Sequence, residues 1–183
     1  MRRSALAVIA TFVVLGLCVS AASAVADSPE RVFAGKVLLS TKRFPMSAKS
    51  PSAYIAALRK QSATNFFEDK DKHEWKINFA AFFRGSLDDV EVQVKIYDIG
   101  SNPQQMLSSF DQFLDQRGQK SFISSMILQR KQFGVNKQLM ITLESHGKTL
   151  AVGKFKIIGE AEKLSGKVDF SDDDTKGSGD DEQ

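Results

Sequence analysis

The stretch Val-Glu-Val-Gln-Val-Lys-Ile-Tyr, residues 90–97, decides the fold class. Its apolar side chains occupy every second position, and charged or polar residues lie between them. Successive side chains of a strand point to opposite faces of a sheet, so this alternation predicts a strand with one dry and one wet face. Residues 75–83 alternate in the same way. The polar residues 84–89 between the two runs predict a hairpin.

Further runs with the same period of two extend the β pattern. They lie at residues 32–40, 122–128, 139–143 and 150–158, and residues 145–148 join the last two as a second hairpin. Residues 168–170 would add a seventh strand. Six or seven strands separated mostly by tight turns predict an all-β, mainly antiparallel fold, an immunoglobulin-like β-sandwich. A small ligand-binding β-barrel is the alternative, although the predicted strand count is short for it.

Two segments interrupt the strand pattern and are predicted to be short connecting helices. Ser50-Pro51 is a favourable helix start, and residues 53–58 suit a helix that ends near Gln61. After Asn102-Pro103, five apolar residues recur at helical spacing and predict the second helix. These residues are Met106, Leu107, Phe110, Phe113 and Leu114. The segments around residues 133–136 and 147–148 are similar to the end of an immunoglobulin-type sandwich, which is a similarity of fold and implies no activity.

The first 24 residues predict export. A positive stub at residues 1–3 precedes an apolar run at 5–17 and the small-residue exit Ala22-Ser23-Ala24, which is the pattern of a secretory signal peptide. General secretion to the periplasm or the cell exterior follows from it. The alternative is a lipoprotein anchored at Cys18, but Leu17 is larger than the residue expected before an acylated cysteine.

The remaining chain divides into three predicted parts. Residues 25–30 are a short lead, residues 31–170 form the β domain, and residues 171–183 are a disordered acidic tail. Cys18 is the only cysteine, so the mature chain has no disulfide, thiolate metal site or cysteine nucleophile. No apolar run beyond residue 24 approaches the length of a membrane-spanning helix.

The net charge of +3 hides an asymmetry along the chain. The acidic segment, residues 169–183, has seven acids and one base, or −6, and residues 25–168 have 22 bases and 15 acids, or +7. A basic body favours anionic envelope components such as lipid head groups, polysaccharide or acidic proteins. Nucleic acid is not expected, because the lysines are spread evenly and no aromatic-basic RNA motif occurs. An acidic arm that covers a basic face remains an alternative to a purely solvated tail.

Several catalytic and metal-binding patterns fail in this sequence. His73-Glu74 starts like a zinc-protease motif, but residue 77 is isoleucine instead of histidine. Gly147-Lys148-Thr149 lies between two strands, so no helix N-terminus is available for a phosphate. We therefore expect no catalytic residue, no cofactor and no metal. A carboxylate-based hydrolase remains a third hypothesis, for which the candidate acids are Asp69, Asp71, Asp88 and Asp89.

Phenylalanine is unusually frequent, with 14 residues against one tryptophan and two tyrosines. Most are expected in the core, but they cannot all share one sheet face. The predicted contact surface consists of Phe66, Phe67, Phe82 and Tyr97. The leading hypothesis is an exported, non-catalytic binding module that contacts a protein or an envelope component through a sheet face or its end loops. A carrier for a small apolar ligand is the alternative.

Overall fold

The computed structural model describes residues 27–160, and 52% of these lie in strands. In chain order the elements are α1 (Pro29–Val32), β1 (Lys36–Ser40), α2 (Pro51–Gln61), β2 (Asn65–Phe67), β3 (Glu74–Leu87), β4 (Glu91–Asp98), β5 (Gln105–Phe113), β6 (Gln119–Gln129), α3 (Arg130–Phe133), β7 (Gln138–Ser145) and β8 (Lys148–Ile158). The prediction of a mainly β protein with a few short helices is confirmed.

All eight described strands belong to one curled, open sheet. Their order is β5-β4-β7-β8-β1-β3-β6, and β2 pairs with the far end of β8. The pairs are antiparallel except that β1 and β2 both run parallel to β8. Ser124 on β6 donates a hydrogen bond to Oε1 of Gln112 on β5 at 2.9 Å, so the two ends of the sheet approach each other. An immunoglobulin-like sandwich is not confirmed. The curled sheet has the shape of a half-barrel, which is compatible with the barrel alternative.

The main core fills the concave inner face of this sheet. Trp75, Ile77 and Phe79 of β3 lie there with the alternating valines and isoleucine of β4, all at most 1% exposed. The indole Nε1 of Trp75 donates to the carbonyl oxygen of Ile158 at 3.1 Å, which ties β3 to the end of β8. Burying such side chains is the main source of stability in a fold of this size.

A second, smaller core lies on the outer face, where α1 and α2 cover β3. Phe33, Phe44, Ile55 and Leu58 pack there against Ala80 and Phe82 of β3. The middle of β3 is therefore buried on both faces, as a near-continuous apolar run requires. The prediction of α2 is confirmed, since Ser50 caps it by accepting a hydrogen bond from the amide of Ala53 at 3.2 Å and Pro51 opens it.

The predicted second helix is wrong, because residues 105–113 form strand β5. Phe110 and Gln112 pair with Val94 and Val92 of β4, and this long-range pairing outweighs the local helical spacing. The first strand is also shorter than predicted. It begins at Lys36, since residues 29–32 form α1.

The two predicted hairpins have different outcomes. β7 and β8 form the second hairpin, with Ser145 opposite Lys148 and a turn in which His146 and Gly147 both have positive φ. The first is wrong, because β3 pairs with β1 and β6 whereas β4 pairs with β5 and β7. Residues 84–87 instead belong to the end of β3, and residues 88–90 connect it to β4, which has other neighbours in the sheet. The predicted signal peptide, the strand at 168–170 and the acidic tail lie outside the described residues.

Candidate functional site

The four aromatic residues predicted as a contact surface do not come together. Phe66 and Phe82 are each only 1% exposed, so the expectation that they are surface residues is wrong. Phe82 lies under α1, where its ring centroid is 5.3 Å from that of Phe33, and Phe66 packs edge-on against Phe155 at 5.8 Å. Phe67 is 74% exposed on β2, and Tyr97 is half-buried on the outer face of β4.

A separation of charge distinguishes one part of the described chain. Residues 31–67 contain seven bases and no acid, whereas residues 68–160 contain 13 bases and 12 acids. The seven bases are Arg31, Lys36, Lys42, Arg43, Lys49, Arg59 and Lys60. The lysines are indeed spread along the chain, but the acids are not. The positive charge of the body therefore belongs to the segment that covers the outer face of β1 and β3.

The basic groove lies on the outer face of β3 and β6, beside the segment that follows β1. It has a volume of about 530 Å³ and is lined by Thr41, Arg43, Lys76, Asn78, Ile123, Ser124 and Ser125. Asn78 is paired with Ser125 in the β3–β6 ladder, which places the two polar side chains on one face. The amide of Asn78 also donates to the carbonyl oxygen of Thr41 at 3.3 Å, joining the loop to the sheet.

Arg43 and Lys76 supply the charge of this groove. Both side chains are exposed, and none of the seven lining residues is acidic. Phe44, next to Arg43, is buried in the outer core and fixes this part of the loop. The basic groove is thus a built concave surface that offers two cations together with hydroxyl and amide groups.

Two exposed apolar residues are close to groove residues, one across the β3–β6 ladder and one along the chain. Ile127 pairs with Lys76 across β3 and β6 and is 55% exposed. Met46, three residues after Arg43, is 77% exposed. Large apolar side chains beside cations are typical of surfaces that contact an amphipathic partner.

An acidic pocket of about 270 Å³ lies on β4, β5 and the β7–β8 turn, and Asp89, Glu91, Asp111, Glu144 and His146 contribute to its lining. The amides of Glu91 and Val90 hydrogen-bond to Asp89, and with His146 nearby they lower the pKa of its carboxyl group. Glu144 accepts a hydrogen bond from Lys95 at 2.6 Å. A general acid needs a carboxyl group whose pKa is raised, so Asp89 is unsuited to that role.

The carboxylates considered for hydrolysis do not converge. Asp69 and Asp71 precede β3, whereas Asp88 and Asp89 follow it, and the 14 residues of β3 separate the two pairs by roughly 45 Å along the strand. His73 lies beside Glu68, with its Nδ1 at 3.2 Å from Oε1. Within residues 27–160 no group of three or more His, Cys, Asp or Glu side chains is arranged to hold a metal ion.

We expect part of the stability to be lost in acid through Asp98. Its buried carboxylate accepts from Lys137 Nζ at 2.8 Å and from the amide of Gly100 at 2.9 Å, and these hydrogen bonds lower its pKa below the ordinary value of an aspartate. Because the pKa is lower in the folded state, the stabilisation is present above the ordinary value and is lost as the pH falls through the folded value. Urea unfolding at a series of acidic pH values measures this loss.

The Asp98→Asn variant tests the assignment of that acid sensitivity. It should be less stable than the original protein at neutral pH but lose less of its remaining stability on acidification. The matched control is Asp115→Asn, which removes an exposed carboxylate and should follow the original pH profile. Parallel pH profiles for the original protein and Asp98→Asn would contradict the prediction.

The longest helix of residues 27–160, α2, has 11 residues, and no helix in this range is long and apolar enough to cross a membrane. The basic groove is the candidate site, because it is concave and its lining has two basic residues and no acidic one. The chain matches no protein-family model and no curated protein sequence.

Proposed function

We propose that the protein is an exported, non-catalytic binding module that holds an anionic component of the cell envelope in the basic groove. The observation that carries this proposal is that Arg43 and Lys76 both line one groove that has no acidic lining residue. Two neighbouring cations without a local counter-charge repel each other, and a bound anion removes that repulsion.

The groups around the two cations suit a phosphate or a carboxylate. A guanidinium such as that of Arg43 presents several donors in a plane and binds such oxyanions through two parallel hydrogen bonds. Lys76 adds a point charge, and Thr41, Asn78 and Ser125 can supply further hydrogen bonds. Neighbouring hydroxyl and amide groups make the groove more selective for oxyanions than an exposed lysine alone.

Of the anionic envelope components, a lipid surface fits this region best. Ile127, opposite Lys76 in the ladder, and Met46, three residues after Arg43, are both exposed, so this region offers apolar area as well as charge. Peripheral membrane contacts combine these two features, because apolar side chains enter the interface while basic side chains bind the head groups. Anionic lipid head groups are accordingly the proposed ligand.

The double variant Arg43→Gln/Lys76→Gln should bind anionic vesicles about 30-fold more weakly, at roughly 1 kcal/mol for each basic side chain. The measurement is co-sedimentation with phosphatidylglycerol vesicles, and neutral phosphatidylcholine vesicles serve as the reference. The matched control is Lys154→Gln/Lys156→Gln, which removes the same charge from exposed positions on β8 outside the groove.

The control variant should retain most of the affinity. Equal losses in both double variants would mean that net charge alone drives binding, and the basic groove would lose its role. If the unmodified protein binds anionic and neutral vesicles equally weakly, the proposed function is wrong.

The apolar-carrier hypothesis finds less support. The concave inner face of the sheet is occupied by large buried side chains such as Trp75, Phe79 and Leu139. The basic groove and the acidic pocket are lined mainly by polar residues, and so is the pocket around Asp98 and Lys137. A carrier function therefore remains a prediction that rests on the phenylalanine content. The hydrolase likewise remains a prediction that rests on the carboxylates alone.

A further inference from the structure

We infer that the acidic segment of this same chain, residues 169–183, docks in the basic groove and competes there with the anionic partner. The inference rests on the groove assigned under the proposed function and adds a means of regulating it. The proposed occupant of the basic groove is thus a segment of the same chain.

Charge complementarity is the first argument. The acidic segment carries −6 on 15 residues, and residues 31–67 carry +7 without an acid. In the body the rest of the charge nearly balances, with 13 bases against 12 acids in residues 68–160. The acidic segment and the basic face are therefore the two unbalanced charges of the mature chain, and they have opposite sign.

Reach is the second argument. The described chain ends at Glu160, whose carbonyl oxygen accepts from Arg130 Nη2 at 2.6 Å. Arg130 directly follows β6, and Ser125, which lines the groove, lies five residues before it, or about 16 Å at about 3.3 Å per residue. Residues 161–171 can span up to about 36 Å when extended. The first aspartate of the block at 172–174 can therefore reach the groove.

The composition of the acidic segment also matches the two kinds of group around the groove. Its carboxylates suit Arg43 and Lys76, and Phe170 offers an apolar ring for exposed Ile127 or Met46. Attachment to the same chain gives the acidic segment an effective concentration on the order of millimolar. An external anion must displace it, so the apparent affinity of the groove is reduced as long as the segment is bound.

The first test changes the seven acids of the acidic segment to their amides in the otherwise intact chain. This variant should bind phosphatidylglycerol vesicles about tenfold more tightly at low salt, and the gain should shrink as salt screens the internal contact. The same tail change is then made together with Arg43→Gln/Lys76→Gln. No comparable gain is expected there, because the groove that the acidic segment would vacate has lost its charge.

The vesicle results separate failure of the inference from failure of the proposed function. If the original and tail-amide proteins bind equally well, the docking inference is overturned and the lipid-binding function stands. A gain of the same size in the Arg43→Gln/Lys76→Gln background would reflect net charge alone and would also overturn the inference. If neither protein binds anionic vesicles, the proposed function fails, and docking is then judged by direct cross-linking.

The second test joins carboxylates to lysine amines with a carbodiimide, which adds no spacer. Cross-links within one molecule should connect the acidic segment to Lys76, which lines the groove, or to Lys42 between Thr41 and Arg43, and they should disappear at high salt. Lys148 and Lys154 on β8 serve as internal controls because they lie outside the groove. Cross-links spread equally over β8, or found only between two copies, would overturn docking within one chain.

Discussion

Replacing Phe66 with alanine is expected to lower the free energy of unfolding by about 3–5 kcal/mol, whereas the same change at Phe67 should alter it by less than about 0.5 kcal/mol. The two neighbours differ only in the direction of their side chains on β2. Phe66 is 1% exposed and packs edge-on against Phe155, but Phe67 is 74% exposed. Removing the buried ring leaves a cavity and loses its transfer free energy.

Urea unfolding of both variants gives the comparison, with the change in the midpoint converted through the slope. β2 has three residues and is held through its pairing with the end of β8, at Asn65–Lys156 and Phe66–Ile157. Loss of the Phe66 ring should therefore also loosen that end of β8, which hydrogen exchange at Ile157 reports. Equal losses of stability in the two variants would contradict the burial of Phe66.

The second large effect is expected for Gly153→Val on β8. A β-carbon at this position would lie 2.6 Å from the carbonyl oxygen of Val37 and 3.0 Å from the β-carbon of Val37. The nearest atom belongs to the backbone of β1, so the clash cannot be relieved by rotating a side chain, and the two strands must move apart. We expect a loss of about 3 kcal/mol or more, since overpacking with a forced backbone shift lies at the upper end of such effects.

Gly153→Ala should lower the stability less than Gly153→Val, because alanine adds only the β-carbon and not the two methyl groups of valine. Gly85→Ala is the matched control, since no atom lies within 4 Å of a β-carbon there and its φ is not positive. Thermal unfolding of the three variants should rank valine as the least stable and Gly85→Ala close to the original protein. A Gly153→Val protein with unchanged stability would mean that β1 and β8 do not approach as closely as described.

The strand pattern of the sequence predicts much of this fold because one face of the sheet is consistently buried. β4 is the clearest example, with Val92, Val94 and Ile96 inside and Glu91 and Gln93 exposed. The pattern fails where the same residues satisfy two periods. Residues 105–113 have apolar side chains at helical spacing, and only their pairing with β4 makes them a strand. That pairing joins segments whose partnership no local pattern specifies.

The basic groove was harder to predict for a different reason. Its lining comes from three separate parts of the chain, residues 41–43, 76–78 and 123–125, which meet only because β3 pairs with β6 and the loop after β1 folds over them. One signal of the groove's charge is present in the sequence, because residues 31–67 contain seven bases and no acid. The net charge of the whole body does not show where along the chain this excess lies. The burial of Phe82 is not visible in the strand pattern either, because it depends on α1 and α2 covering the outer face of β3.

The position of β8 in the sheet has a consequence for how the chain acquires its structure. β8 is the last described strand in sequence, yet it lies between β7 on one side and β1 and β2 on the other. The N-terminal strands β1 and β2 therefore have no complete set of neighbours until residues 148–158 have been synthesised. Such long-range pairing slows folding, because distant parts of the chain must meet before contacts compensate the lost entropy. The complete sheet can therefore form only after residues 148–158 have been synthesised.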